Sequence, residues 1–236
     1  MVTRNSKQKT QQVQATVEPK DWREADTRSE RSRLIREGLL EAAAEIVGTM
    51  GYQEASVTLI TQRAGVAQGT FYNHFQTRQD ILDQLLPAMG RELLAYVGEC
   101  AKKGETMLEK EELQFSAFFS FLQKRPHFFR ILNEAESFAP KAYYAHLELV
   151  SQGYTRFFQR AHEDGELPNF ERRELEVVAL ILMATRSYLA WRYMYGSEQS
   201  GEIPKWVTKA YMKFVRSGLS STAWAEPRKL RNSPTE

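Results

Sequence analysis

LLEAAAEIVGTMGYQEASVTLITQRAGVAQGTFYNHFQTRQDIL, residues 39–82, decides the fold. From Leu34 onward apolar side chains return at helical spacing, at Ile35, Leu39, Ala43, Ile46, Val47 and Met50, and Gly51 stops that helix. Ser56 is a good N-cap for a short second helix running to about Ala64. Gly65 breaks it, and a third short helix is expected from about Gln68 to Phe75. Two short helices, a tight turn, and small or polar side chains on the second are the parts of a helix-turn-helix. Gly65 permits the backbone of the turn, while Ala64 and Val66 are small enough for close packing. Ile60, Phe71 and Phe75 read as core, and Gln68, Thr70, Asn73 and His74 remain polar on the third helix.

The Ala42–Ala43 pair, the Gly51–Tyr52 step, SVTLI at 56–60 and AGVAQGTFYNHF at 64–75 together resemble the DNA-binding domain of the TetR family of bacterial repressors. The spacing is long and specific. The resemblance implies a sequence-specific DNA-binding transcription regulator, most often a repressor, whose DNA-binding domain covers residues 29–78. It also implies roles residue by residue. Gln68, Gly69, Thr70 and Asn73 fall where the recognition helix approaches base edges. Gln and Asn can pair bidentately with adenine, and a threonine methyl can meet thymine. Tyr72 and His74 fall where the family uses side chains on phosphates, and Thr58 is placed to reach a phosphate or a base. Arg78 stands where the family usually carries Lys, as a phosphate contact with an added fork geometry.

Composition limits the alternatives. The 236 residues are 42% hydrophobic and 26% charged, enough for a real core. A net charge of only +2 argues against nonspecific DNA compaction, which needs a strongly basic surface. Any DNA binding therefore rests on local charge. Residues 1–28 read as a flexible basic arm, with Arg4, Lys7 and Lys9 available for phosphate or minor-groove contacts. The start of the chain has no apolar segment of the secretory type, the most apolar stretch is far shorter than a membrane span, and there is a single cysteine, Cys100; the expected location is the cytoplasm. An enzyme finds little support: His74, His127, His146 and His162 are scattered, with no metal spacing, no nucleophile arrangement around Cys100 and no phosphate-cradling glycine loop. No cofactor is expected.

Beyond Thr77, which can cap a fourth helix carrying Ile81 to Val97 and interrupted by Pro87, the pattern stays helical. A hinge is expected over Gly98–Lys110, then helices over about Glu111–Lys124, Pro126–Ser137, Pro140–Asp164, Arg172–Tyr195 and Pro204–Leu219. The fold is all-α: a helix-turn-helix domain followed by a ligand-binding and dimerisation domain over 79–222, with 223–236 an unstructured tail. Aromatic side chains crowd this second part, more than a compact bundle needs, which points to an apolar cavity for a small effector such as an acyl or fatty-acid derivative. A hydrophobic drug or other aromatic compound is the alternative. The candidate lining is Phe118, Phe119, Leu122, Phe129, Leu132, Tyr154, Phe157, Met183, Ser187, Tyr188 and Trp191, with Arg186, Glu134 or Arg192 as polar anchors. An inward arginine would need a ligand headgroup or a facing carboxylate; otherwise it would bridge subunits. The stretch VVALILMATRSYLAWRYMY, 177–195, is apolar on nearly all sides, and a two-fold partner is the economical cover. The resemblance implies a homodimer joined through the last two helices, reading a pseudo-palindromic operator.

Overall fold

The computed structural model describes residues 21–195 and 202–219. The expectations for the arm over 1–20 and for the tail over 223–236 lie outside the described residues. Nine α-helices and two single 3-10 turns make up the described residues, with no strand among them. No helix there is long and apolar enough to cross a membrane.

The first helix, α1, spans Arg28–Met50, starting earlier than periodicity indicated because the Thr27 side chain accepts from the backbone N–H of Glu30. Residues 21–27, read from sequence as part of a flexible arm, instead form a 3-10 turn over Trp22–Glu24 and the cap of α1. Trp22 packs against the core, with the Arg23 and Arg31 guanidinium groups 4.3 and 4.8 Å from its ring. Then come α2 (Val57–Ala64) and α3 (Gln68–Tyr72), the latter shorter than expected. Beyond Tyr72 the chain tightens, and the His74 amide reaches back three residues to the Phe71 carbonyl at 2.9 Å.

A long helix, α4 (Arg78–Ala101), begins at the Thr77 cap and runs through Pro87 without ending. It also takes up the first residues of the expected hinge, leaving only 102–106 as a connection. The next helix, α5 (Met107–Lys124), starts early because Thr106 and Glu109 form a reciprocal capping box. It is followed by α6 (Phe128–Phe138) and α7 (Pro140–Glu163), the latter with proline in its first turn. A 3-10 turn at Arg172–Glu174 leads into α8 (Leu175–Met194), and α9 covers Lys205–Leu219.

One continuous apolar core runs through the described residues from α1 to α9. Leu39, Val47, Ile60, Phe71 and Phe75 close the three-helix unit, and Ile81, Leu82 and Leu85 of α4 are buried with them. The helix α4 packs chiefly on α5 and α7, and α6 rests on α1. Two close approaches need glycine: a Cβ on Gly48 would collide with the His127 ring, and one on Gly90 would collide with the His146 ring at Nδ1.

Candidate functional site

The helix-turn-helix is held by local devices. The Ser56 side chain accepts from the Leu59 amide, closing the start of α2, and Gly65 takes φ 66°, ψ 32° at its end. That left-handed backbone suits glycine, which lacks the Cβ clash. Phe71 and Phe75 are buried with their rings 5.5 Å apart, so α3 sits on the core by one face and leaves the other open.

On that open face Gln68, Gly69, Tyr72 and Asn73 are exposed, and Thr70 and His74 are half-buried. Thr58 of α2 is exposed beside them and accepts a hydrogen bond from Gln68 Nε2 at 2.9 Å. The surface is therefore polar and mostly uncharged. Burial, and then the nearby Arg36 charge, push the His74 imidazole below its ordinary pKa, so at neutral pH it can donate or accept a hydrogen bond but brings no charge.

Arg78 is placed differently from the phosphate contact that the resemblance implies. Its Nε donates to the Ala55 carbonyl at 2.7 Å, and its Nη2 donates to the carbonyls of Tyr52 and Gln53. The guanidinium ties the start of α4 to the loop between α1 and α2. Arg78→Ala is accordingly expected to cost about 1–3 kcal/mol, by leaving half-buried carbonyls unpaired. Urea denaturation checks this. A variant as stable as the parent but weaker on DNA, with a flatter salt dependence, would restore the phosphate role.

The second feature is a cavity of about 520 Å³, open at one rim and lined by residues of α4, α5, α6, α7 and α8. Phe118, Phe129, Leu132, Tyr154, Phe157, Met183, Arg186 and Ser187 line it, as proposed from sequence. Phe119, Leu122, Tyr188 and Trp191 do not. Phe119 and Leu122 are buried in the core instead: Phe119 points about 100° away from its neighbour Phe118, and Leu122 lies one turn beyond Phe118, the last α5 residue on the cavity wall. Tyr188 and Trp191 project outward from α8, 66% and 54% exposed. Glu134 is elsewhere too: it pairs with Arg130 at 2.7 Å and accepts from the Tyr52 amide at 3.0 Å. Arg192 is exposed, lying over the Tyr193 ring.

Sequence reasoning missed much of the wall. Leu93, Leu94 and Val97 of α4 and His146, Leu147 and Val150 of α7 all face the cavity, but on a helix such residues read as ordinary core. One rim, where the end of α4, the start of α5 and the end of α7 meet, carries Lys102, Lys110, Arg156 and Arg160 against Asp164 and Glu166. That leaves an excess of positive charge at the rim and an apolar interior.

Arg186 finds the facing carboxylate that an inward arginine requires. Its Nη2 is 2.6 Å from Oε1 of Glu111, which is fully buried. Tyr211 donates to the same oxygen and Tyr154 to the other, each at 2.5 Å. This network joins α5, α7, α8 and α9. Burial raises both tyrosines above their ordinary pKa, so they remain donors. Burial opposes the Arg186 charge, but Glu111 and the tyrosines outweigh it and hold the group protonated.

His146 packs edge-on to Phe128 and its Nδ1 is buried without a hydrogen-bond partner. Burial lowers its pKa to about 4. Because the folded value lies below the usual 6.5, the unfolded chain binds the extra proton first, and stability falls as pH drops from about 6.5 towards 4. Unfolding free energies from urea denaturation at pH 7 and pH 5 should differ by about 2 kcal/mol more in the parent than in His146→Leu. Equal differences would remove His146 from the acid response.

One helix touches both features. On one side of α6, Phe129 and Leu132 face the cavity. On the other, Arg130 Nη1 donates to the Thr49 carbonyl at 2.7 Å, Glu134 holds the Tyr52 amide, and Phe138 stacks on Tyr52 at 5.9 Å. The end of α1 and the loop leading to α2 are thus gripped by a helix that forms the cavity wall.

Residues 39–85 match the family of bacterial regulatory proteins called tetR. The Fatty acid metabolism regulator protein of Bacillus subtilis (strain 168) is 34% identical over 84 residues, 36% of this chain and 43% of that protein, so this match spans less than half of that relative. The HTH-type transcriptional repressor KstR of Mycolicibacterium smegmatis is 25% identical over 171 residues, 71% of this chain and 81% of that one. Among solved structures, the transcriptional regulator FadR from Bacillus subtilis in complex with stearoyl-CoA shares the fold, with TM-score 0.62 and 21% identity, over 78% of this chain and 97% of the other.

Proposed function

We propose, from the premise that this chain belongs to the tetR family of bacterial regulatory proteins, that it is a homodimeric repressor released from its operator by an acyl effector. The observation that carries the reading is α6, with one face on the cavity and the other on the helix-turn-helix. A ligand that prefers one position of α6 shifts the population of DNA-competent heads by its differential affinity for the two states.

The exposed face of α3 suits base reading. Gln68, Thr70 and Asn73 offer hydrogen bonds and a methyl group to base edges, and Thr58, Tyr72 and His74 flank them for phosphates. Arg78 serves by positioning α2 rather than by touching DNA.

The homodimer is supported by α8 and α9. Val177, Leu180, Ile181, Tyr188 and Trp191 are exposed on α8, and Trp206 and Phe214 on α9, a large apolar surface for a single chain. Val177, Ile181, Ala184, Tyr188 and Trp191 follow alternating steps of four and three, the spacing of a helix-bundle seam. A two-fold partner covers them and pairs the two reading heads.

The acyl effector is supported by the cavity: its volume is that of a small-molecule site, its interior is apolar, and its rim is rich in Lys and Arg that suit an anionic headgroup. The FadR relative, solved with stearoyl-CoA, has the same fold. A mobility shift on the DNA upstream of the protein's own gene, with competitor DNA present, tests both halves. Selective binding that is lost on adding octadecanoyl-CoA is the expected result. Binding no stronger than to competitor would overturn the operator reading, and a shift indifferent to octadecanoyl-CoA would overturn the acyl one.

A further inference from the structure

The cavity and the apolar face of α8 share one helix, and on it they meet. Leu180, Met183, Ser187 and Trp191 follow one another at steps of three, four and four, so they form a single stripe along α8. The two middle members line the cavity. The two end members face outward, 46% and 54% exposed. Ser187 belongs to both surfaces, since it lines the cavity and is itself exposed. The residues that follow the middle pair, Ala184 and Tyr188, lie about 100° further round the helix and are exposed on the outer face. On α7, which packs against α8, Leu147 and Val150 also line the cavity and are only half-buried. Apart from the charged rim, the cavity wall is therefore unfinished between α7 and α8 in the single chain.

What finishes it follows from the face it continues. Seven of the eleven large apolar side chains exposed among the described residues lie on α8 and α9, so this is the face built to be covered. Val177, Leu180, Ile181, Ala184, Tyr188 and Trp191 carry no charge, so a second copy meets them without like-charge repulsion.

We infer that the effector site is completed across the dimer seam: the second copy closes the cavity over Met183 and Ser187, so that effector binding and dimerisation strengthen one another. This rests on the homodimer and acyl readings above and adds a coupling that neither requires. An apolar chain lying under the second copy loses more surface to water than one in the single chain, and so binds the dimer more tightly. Linkage then returns the same free energy to the dimer. Release from the operator would come from re-spacing the heads of an intact dimer, not from its dissociation.

The test has two arms, both on the full-length protein. In the first, octadecanoyl-CoA is titrated calorimetrically into the parent dimer and into the Ile181→Asp monomer. Ile181 is not on the cavity wall, so the substitution removes no contact with the ligand inside one chain. The monomer should bind about tenfold or more weaker, within the usual range of coupling between sites. In the second, fluorescence-detected sedimentation follows the parent from nanomolar to micromolar concentration, with and without saturating octadecanoyl-CoA. Its dimer dissociation constant should fall by the square of the first factor, because one seam serves two sites. This arm reads the inference unaided should the aspartate variant not fold. A parent dimer constant indifferent to octadecanoyl-CoA, or raised by it, would overturn the inference and leave both readings standing, as would a monomer that binds as tightly as the dimer. An aspartate variant that remains dimeric would overturn the seam, and no binding by the parent would overturn the acyl reading; the inference falls with either.

Discussion

Glu111→Ala should destabilise the protein by about 3–5 kcal/mol, the usual cost of stripping one partner from a buried ion pair. The carboxylate is fully buried and receives Arg186, Tyr154 and Tyr211 at 2.5–2.6 Å. Alanine would leave a buried guanidinium without a counter-charge and two buried phenols without acceptors. Each of these loses hydration without recovering a partner, which is why the loss exceeds what a single hydrogen bond contributes. The double variant Glu111→Leu with Arg186→Met should recover most of the loss, because an apolar pair leaves no charge to solvate. Guanidinium denaturation of the three proteins is the measurement. A single variant within 1 kcal/mol of the parent, or a double variant as unstable as the single, would show that the network is not what holds α5 to α7, α8 and α9.

Ile181→Asp should abolish dimerisation with little change in the stability of the single chain. Ile181 is 51% exposed and lies in the stripe formed by Val177, Leu180, Ala184, Tyr188 and Trp191. A carboxylate there meets water in the monomer. In a two-fold seam it would meet apolar side chains and its own symmetry mate, and both contacts are costly. Sedimentation at micromolar protein should shift from dimer to monomer. Operator affinity should fall about a hundredfold or more, because the second head no longer binds at high effective concentration. Glu176→Lys, an exposed residue next to the stripe, serves as the control and should change neither. A variant that still sediments as a dimer would move the interface elsewhere.

The two halves of the protein were not equally legible. The helix-turn-helix depends on contacts within about forty residues: the Ser56 cap, the positive φ at Gly65, and the buried Ile60, Phe71 and Phe75. Each of these has a local chemical signature, and each falls where the signature put it. Arg78 marks the limit. A basic residue at a helix start reads equally well as a phosphate ligand or as a tie to a neighbouring loop, and only the positions of the Tyr52, Gln53 and Ala55 carbonyls distinguish them.

The cavity was legible in kind but not in face. Phe118 and Phe119 are neighbours of the same type, yet one faces the cavity and the other the core, since which way a helix turns is set by what packs against it. The apolar stretch of α8 gave no amphipathic signal to separate Met183 and Arg186, turned inward, from Tyr188 and Trp191, turned out. Glu111 carried no sign of burial at all. An isolated arginine in an apolar helix required a carboxylate somewhere, but the partner lies 75 positions earlier in the chain.

What the amino-acid sequence determined by itself is therefore the DNA-reading unit, because capping, glycine conformation and short-range burial act between near neighbours. What only the tertiary structure decided is the cavity wall, the Glu111–Arg186 network and the grip of α6 on Tyr52, because these join side chains from distant helices. Their alignment follows from how those helices pack, and no local pattern encodes it.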